Sequence, residues 1–374
     1  MPVRIAVPKE SAPGERRAAI NPEVAKRFAK QGATIITEAG VGELSGFADA
    51  ELAGAQVLPS SAAALAQGDL ILKVQMPTEA EIDTLKEGAV IVAFMQPGKH
   101  PERVRKLIAK RATALAVELI PRITRAQSMD ALSSQAAVAG YHVTLQAASL
   151  CPKFFPMITY AAGTIRPAKV LVIGAGVAGL QAISTARRLG AVVSAYDVRS
   201  AVKEQIESLG AKFVMAVQGA EATGGYAREL TADERRMQGE VLAKAIADSD
   251  VVISTAAIPG RPAPKIISAA MVAAMRRGSV IADLAAETGG NCELTEPGKT
   301  VERNGVTIHG PLNVPSMMPV HATEMYAKNL FNLVSPFIKE GSLALDFADE
   351  VLQGCAYVKD GQVMHEPSRK ALGL

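Results

Sequence analysis

Apolar runs of four or five residues recur along the chain, separated by stretches of helical periodicity. Arg4 to Val7, Ala33 to Thr37, Leu70 to Val74, Val90 to Phe94 and Ala114 to Val117 are such runs. Each is too short for a buried helix, and continuous apolar character without alternation is what a strand buried on both faces of a parallel sheet requires. Between them Asn21-Pro22 caps and starts a helix ending near Gly32, and helices are predicted near Glu79 to Leu85 and Pro101 to Arg111. Such alternation predicts a doubly wound α/β domain. A second series, at Val170 to Ile173, Val192 to Tyr196, Lys212 to Val214, Val251 to Ser254 and Val280 to Ala282, predicts another. The helical stretch Ala131 to Leu150 and the Pro-interrupted Cys151 to Pro167 form the predicted joint. After about Asn313 the pattern changes: Pro319 to Val334 reads as a helix, and Ala356 to Met364 as a hairpin turning at Asp360-Gly361. The expected fold class is α/β, with two Rossmann-like domains and parallel sheets. Residues 1–131 and 314–374 make a discontinuous first domain, and 132–313 the second.

One stretch of the second series carries chemistry. The Val170 to Ile173 strand runs directly into Gly174, Ala175, Gly176, Val177, Ala178 and Gly179, a G-x-G-x-x-G sequence that opens a helix. In this motif the first glycine makes the tight turn, the second lets backbone approach a pyrophosphate, and the third allows close helix packing. Asp197 ends the next strand 18 positions beyond the last glycine, where an acid can accept from both ribose hydroxyls of NAD. A 2′-phosphate would set like charges side by side, so NAD is expected rather than NADP. Val198 and Arg199 complete this group. Arg199 reads either as a 2′-phosphate ligand or as the partner of Asp197, whose face it shares in an extended segment.

At 374 residues the chain is long enough for two domains. A net charge of +3 and 4% aromatic residues leave neither a basic stripe nor a stacking platform, which argues against nucleic acid. Cys151, Cys292 and Cys355 are odd in number and far apart, so neither a disulfide framework nor a metal site is expected. The start lacks a secretion signal, and no apolar run reaches the roughly 18 residues of a membrane span.

Two irregular segments remain. Pro121 to Gln135, PRITRAQSMDALSSQ, reads as a solvated connector into an N-capped helix, or as a binding loop beyond the carboxyl end of a strand. In the second reading Arg122 and Asp130 grip an uncharged amide, one donating and one accepting. Val217 to Arg236, with Gly219, Gly224, Gly225 and a solitary Tyr226, reads as a lid or as a disordered insertion. The five histidines, His100, His142, His309, His321 and His365, have no partner acid at motif spacing and are taken as structural or solvated, although His321 could approach the cleft.

VPKESAPGERRAAINPEVAK, DLILKVQMP, PRITRAQSMDALSSQ, VLVIGAGVAGLQA and DLAAETGGNC together resemble the alanine dehydrogenase and transhydrogenase family, over nearly the whole chain. The likeness is greatest to the NAD(H)-binding component of its proton-translocating branch. That resemblance implies that Arg122, Gln127, Asp130 and Ser133 surround the nicotinamide, that Asp197 holds the ribose, and that Gly225 and Tyr226 close over the nucleotide. It further implies NADP(H) bound by a partner subunit, membrane-spanning subunits that couple hydride transfer to proton movement, a homodimer, and a peripheral position on the cytoplasmic face of the inner membrane.

Departures from the dehydrogenase branch carry equal information. That branch has a second lysine in K-V-K-E-P, a histidine in F-x-H and an aspartate before Gly-Gly, where this chain has Gln75, Gln96 and Glu287. Oxidising an amino acid needs a general base, and glutamine cannot titrate. Hydride passage between two nicotinamides needs only alignment. Arg17, in the place where that branch binds a substrate carboxylate, keeps an amino-acid dehydrogenase as an alternative, and a catalytically silent NAD-sensing module is the other.

Overall fold

The computed structural model describes residues 2–52, 54–214, 232–257 and 262–373. It divides into two compact units, Met1–Gln135 with Pro315–Leu374, and Ala136–Val314. The first unit extends to Gln135, four residues beyond the expected 131, and the Gln135 side chain is tied into it. Its amide donates to the Ala322 carbonyl at 3.0 Å and its Oε1 accepts from Arg17 Nη1 at 2.8 Å.

In the first unit the chain lays down β1 (Arg4–Val7), β2 (Thr34–Glu38), β3 (Gln56–Leu58), β4 (Leu70–Gln75), β5 (Val90–Phe94) and β6 (Thr113–Ala116). They are parallel and run β3-β2-β1-β4-β5-β6, so the order reverses between β1 and β4. Helices α1 (Pro22–Lys30), α2 (Ser61–Leu65), α3 (Glu79–Thr84) and α4 (Pro101–Ala109) connect them. Asn21 caps α1, its side chain accepting from Val24 N at 2.8 Å, with Pro22 in the first turn. Ile5, Ile71, Leu72, Ile91, Val92 and Leu115 are wholly buried along the sheet. The Val117 strand end expected from the sequence is a 3₁₀ turn, Val117–Leu119.

Helix α5 (Ala131–Leu150) leads into the second unit. The Pro-interrupted segment after it holds a hairpin, β7 (Ile158–Tyr160) with β8 (Gly163–Ile165). Then follow β9 (Lys169–Ile173), α6 (Val177–Arg188), β10 (Val192–Tyr196), α7 (Lys203–Ser208), β11 (Lys212–Val214), α8 (Ala232–Ala247), β12 (Val251–Ser254), α9 (Ala269–Ala273), β13 (Val280–Asp283), β14 (Thr300–Arg303) and β15 (Val306–His309). The sheet order is β11-β10-β9-β12-β13-β15-β14, with β14 antiparallel at the edge. Its reversal lies between β9 and β12, and ligands of doubly wound sheets sit beyond the carboxyl ends of such strands.

The tail belongs to the first unit. Helix α10 (Pro319–Val334) packs on it through Tyr326, whose hydroxyl donates to the Lys73 carbonyl at 2.8 Å. A short pair, β16 (Ile338–Lys339) with β17 (Ser342–Leu343), and α11 (Glu350–Cys355) follow. β18 (Ala356–Lys359) adds antiparallel to β6, β19 (Gln362–Val363) returns from it, and α12 (Glu366–Ala371) ends the chain.

Candidate functional site

Each glycine of the β9–α6 turn stands in a different situation. Gly174 has φ +91°, a left-handed backbone that only glycine adopts without strain. Gly179 packs so closely that a Cβ would collide with the Gly174 carbonyl oxygen. Gly176 has φ −79° and nothing within 4 Å of where its Cβ would be. Neither conformation nor internal packing therefore demands glycine at 176. Val177, exposed, and Ala178, half-buried, open the first turn of α6, where backbone N–H groups lack intrahelical acceptors and can cradle an anion.

Two residues that motif reading does not single out brace this turn. Thr255 Oγ1, just past β12, lies 3.1 Å from the carbonyls of both Ile173 and Gly174. Gly140, in α5, lets that helix touch the backbone of Ala178 directly. An isolated glycine inside a helical pattern was the available signal.

Asp197 closes the end of β10. It is 9% exposed. Its Oδ2 accepts from Ala175 N at 2.7 Å and Arg199 Nη2 at 3.0 Å, and its Oδ1 from Arg199 N at 2.9 Å and Nε at 3.0 Å. Burial works against this charge, but the hydrogen bonds from Arg199 and Ala175 outweigh it and hold the carboxyl below its ordinary range. Of the two readings of Arg199, the unliganded chain adopts the ion pair. Val198 is exposed beside them. Gly225 and Tyr226, with the rest of 215–231, lie outside the described residues.

The Pro121 to Gln135 segment is a 3₁₀ turn, Thr124–Met129, followed by α5. Asp130 caps that helix, with Oδ1 accepting from Ser133 N at 2.8 Å and Oδ2 from Ser133 Oγ at 2.6 Å. The loop is anchored at two points. The Ser128 carbonyl accepts from Asn329 and Asn332 of α10, and Arg125 forms a bidentate pair with Asp349 at 2.8 and 3.1 Å. Arg122 and Gln127 are exposed on this held loop. The capped-helix reading holds at Asp130 and Ser133, which are brought together, while Arg122 and Gln127 face solvent.

Beyond the carboxyl ends of β1, β4 and β5 lies a polar row, buried at Arg17 and Glu15 and half-buried at Gln75 and Gln96. Arg17, 5% exposed, places Nε and Nη2 on the two oxygens of Glu15 at 2.8 and 2.7 Å and Nη1 on Gln135. Gln75 Nε2 donates to Glu15 Oε2 at 2.8 Å, and Gln96 Nε2 to Gln75 Oε1 at 3.2 Å. Burial would raise the Glu15 pKa, yet Arg17 and Gln75 bring it down to about 2. Lys73, buried in β4, pairs with Glu10 at 3.4 Å and Glu81 at 3.0 Å. A pocket of about 230 Å³ opens here, lined by Glu10, Gln75, Gln96, His100 and Arg103 among others. Glu287 accepts from the backbone N–H of Asn313.

Of the histidines, His142 and His309 lie close enough for their charges to oppose each other. His100 precedes α4 rather than lying on it, His142 is on α5, His309 meets Thr300 Oγ1, His321 is exposed on α10 and His365 meets Ser368 Oγ. Burial lowers the pKa of His100, His142, His309 and His365. Among the described residues no group of three His, Cys, Asp or Glu side chains could hold a metal, and no helix is long and apolar enough to cross a membrane.

Family models for the N-terminal and C-terminal domains of alanine dehydrogenase/PNT match residues 6–139 and 143–366. The chain belongs to the alanine dehydrogenase/PNT family. Within that family of nicotinamide-nucleotide oxidoreductases it is 46% identical over 376 residues to an NAD(P) transhydrogenase subunit alpha polypeptide of Rhodospirillum rubrum, covering 97% of this chain and 98% of that one. Similarity to the alanine dehydrogenase of Methanococcus maripaludis is lower, 28% over 390 residues, with 99% and 96% covered. Among solved structures, a transhydrogenase from Sinorhizobium meliloti matches with a TM-score of 0.89 at 44% identity, covering 96% of this chain and 99% of that one. An L-alanine dehydrogenase matches at 0.83 and 26%, with 99% of each covered. The alanine dehydrogenase/PNT fold thus accounts for both units.

Proposed function

We propose that this chain is the NAD(H)-binding component of a proton-translocating NAD(P) transhydrogenase. NAD(H) lies along Gly174, Gly176, Val177, Ala178 and Gly179, with its ribose on Asp197 beside Val198 and Arg199, and Gly225 and Tyr226 closing over it. Arg122, Gln127, Asp130 and Ser133 orient the nicotinamide. Hydride then passes from C4 of NADH to C4 of NADP+ held by a partner subunit, leaving NAD+ and NADPH with no proton released at either ring. The partners are the NADP(H)-binding and membrane-spanning subunits, which couple transfer to proton movement; the chain acts as a homodimer, peripheral on the cytoplasmic face of the inner membrane.

The observation that carries this reading is the Glu15–Gln75–Gln96 row. Amides stand where amino-acid oxidation would need a base, and the Arg17 guanidinium is already engaged by Glu15 and Gln135. That arrangement supports hydride exchange over the dehydrogenase alternative.

The test combines titration with reconstitution. The purified chain should bind NADH in preference to NADPH, show no alanine oxidation, and accelerate hydride transfer once the NADP(H)-binding partner is added. Tight NADH binding without any acceleration would mark a sensing module, and alanine turnover would restore the dehydrogenase reading.

A further inference from the structure

An ionised carboxylate offers about four acceptor positions. At Asp197 all four are taken: one by Ala175 N and three by Arg199, through its backbone N, Nε and Nη2. A ribose diol can reach this carboxylate only where the guanidinium lets go. The Arg199 side chain is free to do so, being 47% exposed, whereas that of Asp197 is 6% exposed and fixed by Ala175. The two residues therefore compete with any nucleotide through each other.

Resting on the proposal that the second unit binds NAD(H), we propose that the Asp197–Arg199 pair, rather than Asp197 alone, sets nucleotide choice. The carboxylate masks a cation that is otherwise in the right place for a 2′-phosphate. A diol replaces the two guanidinium donors on Asp197 with two hydroxyl donors and leaves the carboxylate satisfied. A 2′-phosphate must take the guanidinium away and leave the buried Asp197 carboxylate without its counter-charge, facing the phosphate. Selectivity against NADP(H) is then a property of the pair, and removing the carboxylate's charge alone turns the same site toward NADP(H).

The experiment titrates NADH and NADPH into the full chain by fluorescence, with circular dichroism as the check on folding. Asp197→Asn keeps size and an acceptor for Ala175 N while releasing Arg199. It should lower NADH affinity about tenfold and raise NADPH affinity at least tenfold, with the NADPH gain falling at high salt. Asp197→Ser should behave alike. Adding Arg199→Ala to Asp197→Asn should erase the NADPH gain. Arg199→Ala by itself should hold or tighten NADH binding, because the competitor for Asp197 is gone, and should leave NADPH excluded. Folded Asp197→Asn and Asp197→Ser proteins without any NADPH gain would overturn the proposal, as would a tenfold loss of NADH affinity in Arg199→Ala. Wild-type protein that fails to prefer NADH would instead overturn the NAD(H) reading on which the proposal rests, so the two failures are distinct.

Discussion

Gln75 joins Glu15 to Gln96: its Nε2 donates to Glu15 Oε2 at 2.8 Å and its Oε1 accepts from Gln96 Nε2 at 3.2 Å. The row is complete without a proton that could move near neutrality. Its one carboxylate lies at about 2, and the amides do not titrate. Single-turnover hydride transfer in the complex should accordingly show little pH dependence arising from this chain. A rate that changes tenfold per pH unit near neutrality, with a midpoint that shifts when Gln75 or Gln96 is replaced, would refute this.

Stability should carry a clear acid signature from the same row. Glu15 has a pKa of about 2 in the folded chain against an ordinary 4.5, although burial raises it, because Arg17 and Gln75 overcome the burial. A depressed carboxylate contributes stability that is full above 4.5 and is lost as pH falls toward 2, here about 3 kcal/mol. Glu10 and Glu118, raised by burial, act in the opposite sense but above 4.5, where they cost stability as pH rises, so they do not offset this loss. Glu15→Gln also strands the buried Arg17 charge, so at neutral pH it should cost about 3 kcal/mol or more. Denaturant melts of wild type and Glu15→Gln should converge between pH 4.5 and 2; a constant difference would place the cost in packing rather than charge.

Two glycines beside the nucleotide turn should respond oppositely to alanine. Gly176→Ala meets open space at a φ of −79°, so the fold should hold or gain up to about 1 kcal/mol. Nucleotide binding should nonetheless fall if the proposed site is right, because the added methyl would stand where the motif brings backbone to a pyrophosphate. Gly140→Ala would drive a methyl into the Ala178 carbonyl. Helix propensity favours that change by about 1 kcal/mol, but a backbone clash between α5 and α6 costs about 1 to 3 kcal/mol, and the collision should win. Thermal melts with NADH titrations decide it: a Gly176→Ala protein that binds NADH normally removes Gly176 from the site.

The strands that carry both sheets were legible because β1, β5, β9, β12 and β13 are buried on both faces and read as apolar runs, as β4 does apart from its buried Lys73. β3, at the sheet edge, has exposed Gln56 and Val57 and therefore no such pattern. The β14–β15 hairpin lacks an apolar run in β14, and its signal was the turn: Asn304-Gly305, both at positive φ. At the site, Gly174, Gly179 and Asp197 announce themselves through spacing. The Arg17–Glu15–Gln75–Gln96 row could not, since its members lie up to about 80 positions apart and only the sheet brings them together. Gly140 stayed hidden for a similar reason: what it touches lies 38 positions away at Ala178.

Gln127 offers the sharpest separation of binding from transfer. It is exposed on a loop held from both sides, by Asn329 and Asn332 at the Ser128 carbonyl and by the Arg125–Asp349 pair, so its amide is presented from a fixed backbone. An amide can donate to one nucleotide while accepting from another, which suits it to hold incoming NADP(H) against bound NAD(H). Gln127→Asn keeps the chemistry and draws the amide back by one methylene. NADH affinity of the isolated chain should stay nearly unchanged, while transfer in the reconstituted complex should fall by ~10², the effect of a misplacement near 1 Å where catalysis rests on alignment. Single-turnover transfer run beside NADH titration separates the cases. Loss of NADH binding in step with the rate would assign Gln127 to the NAD(H) site alone, and an unaltered rate would remove it from the mechanism.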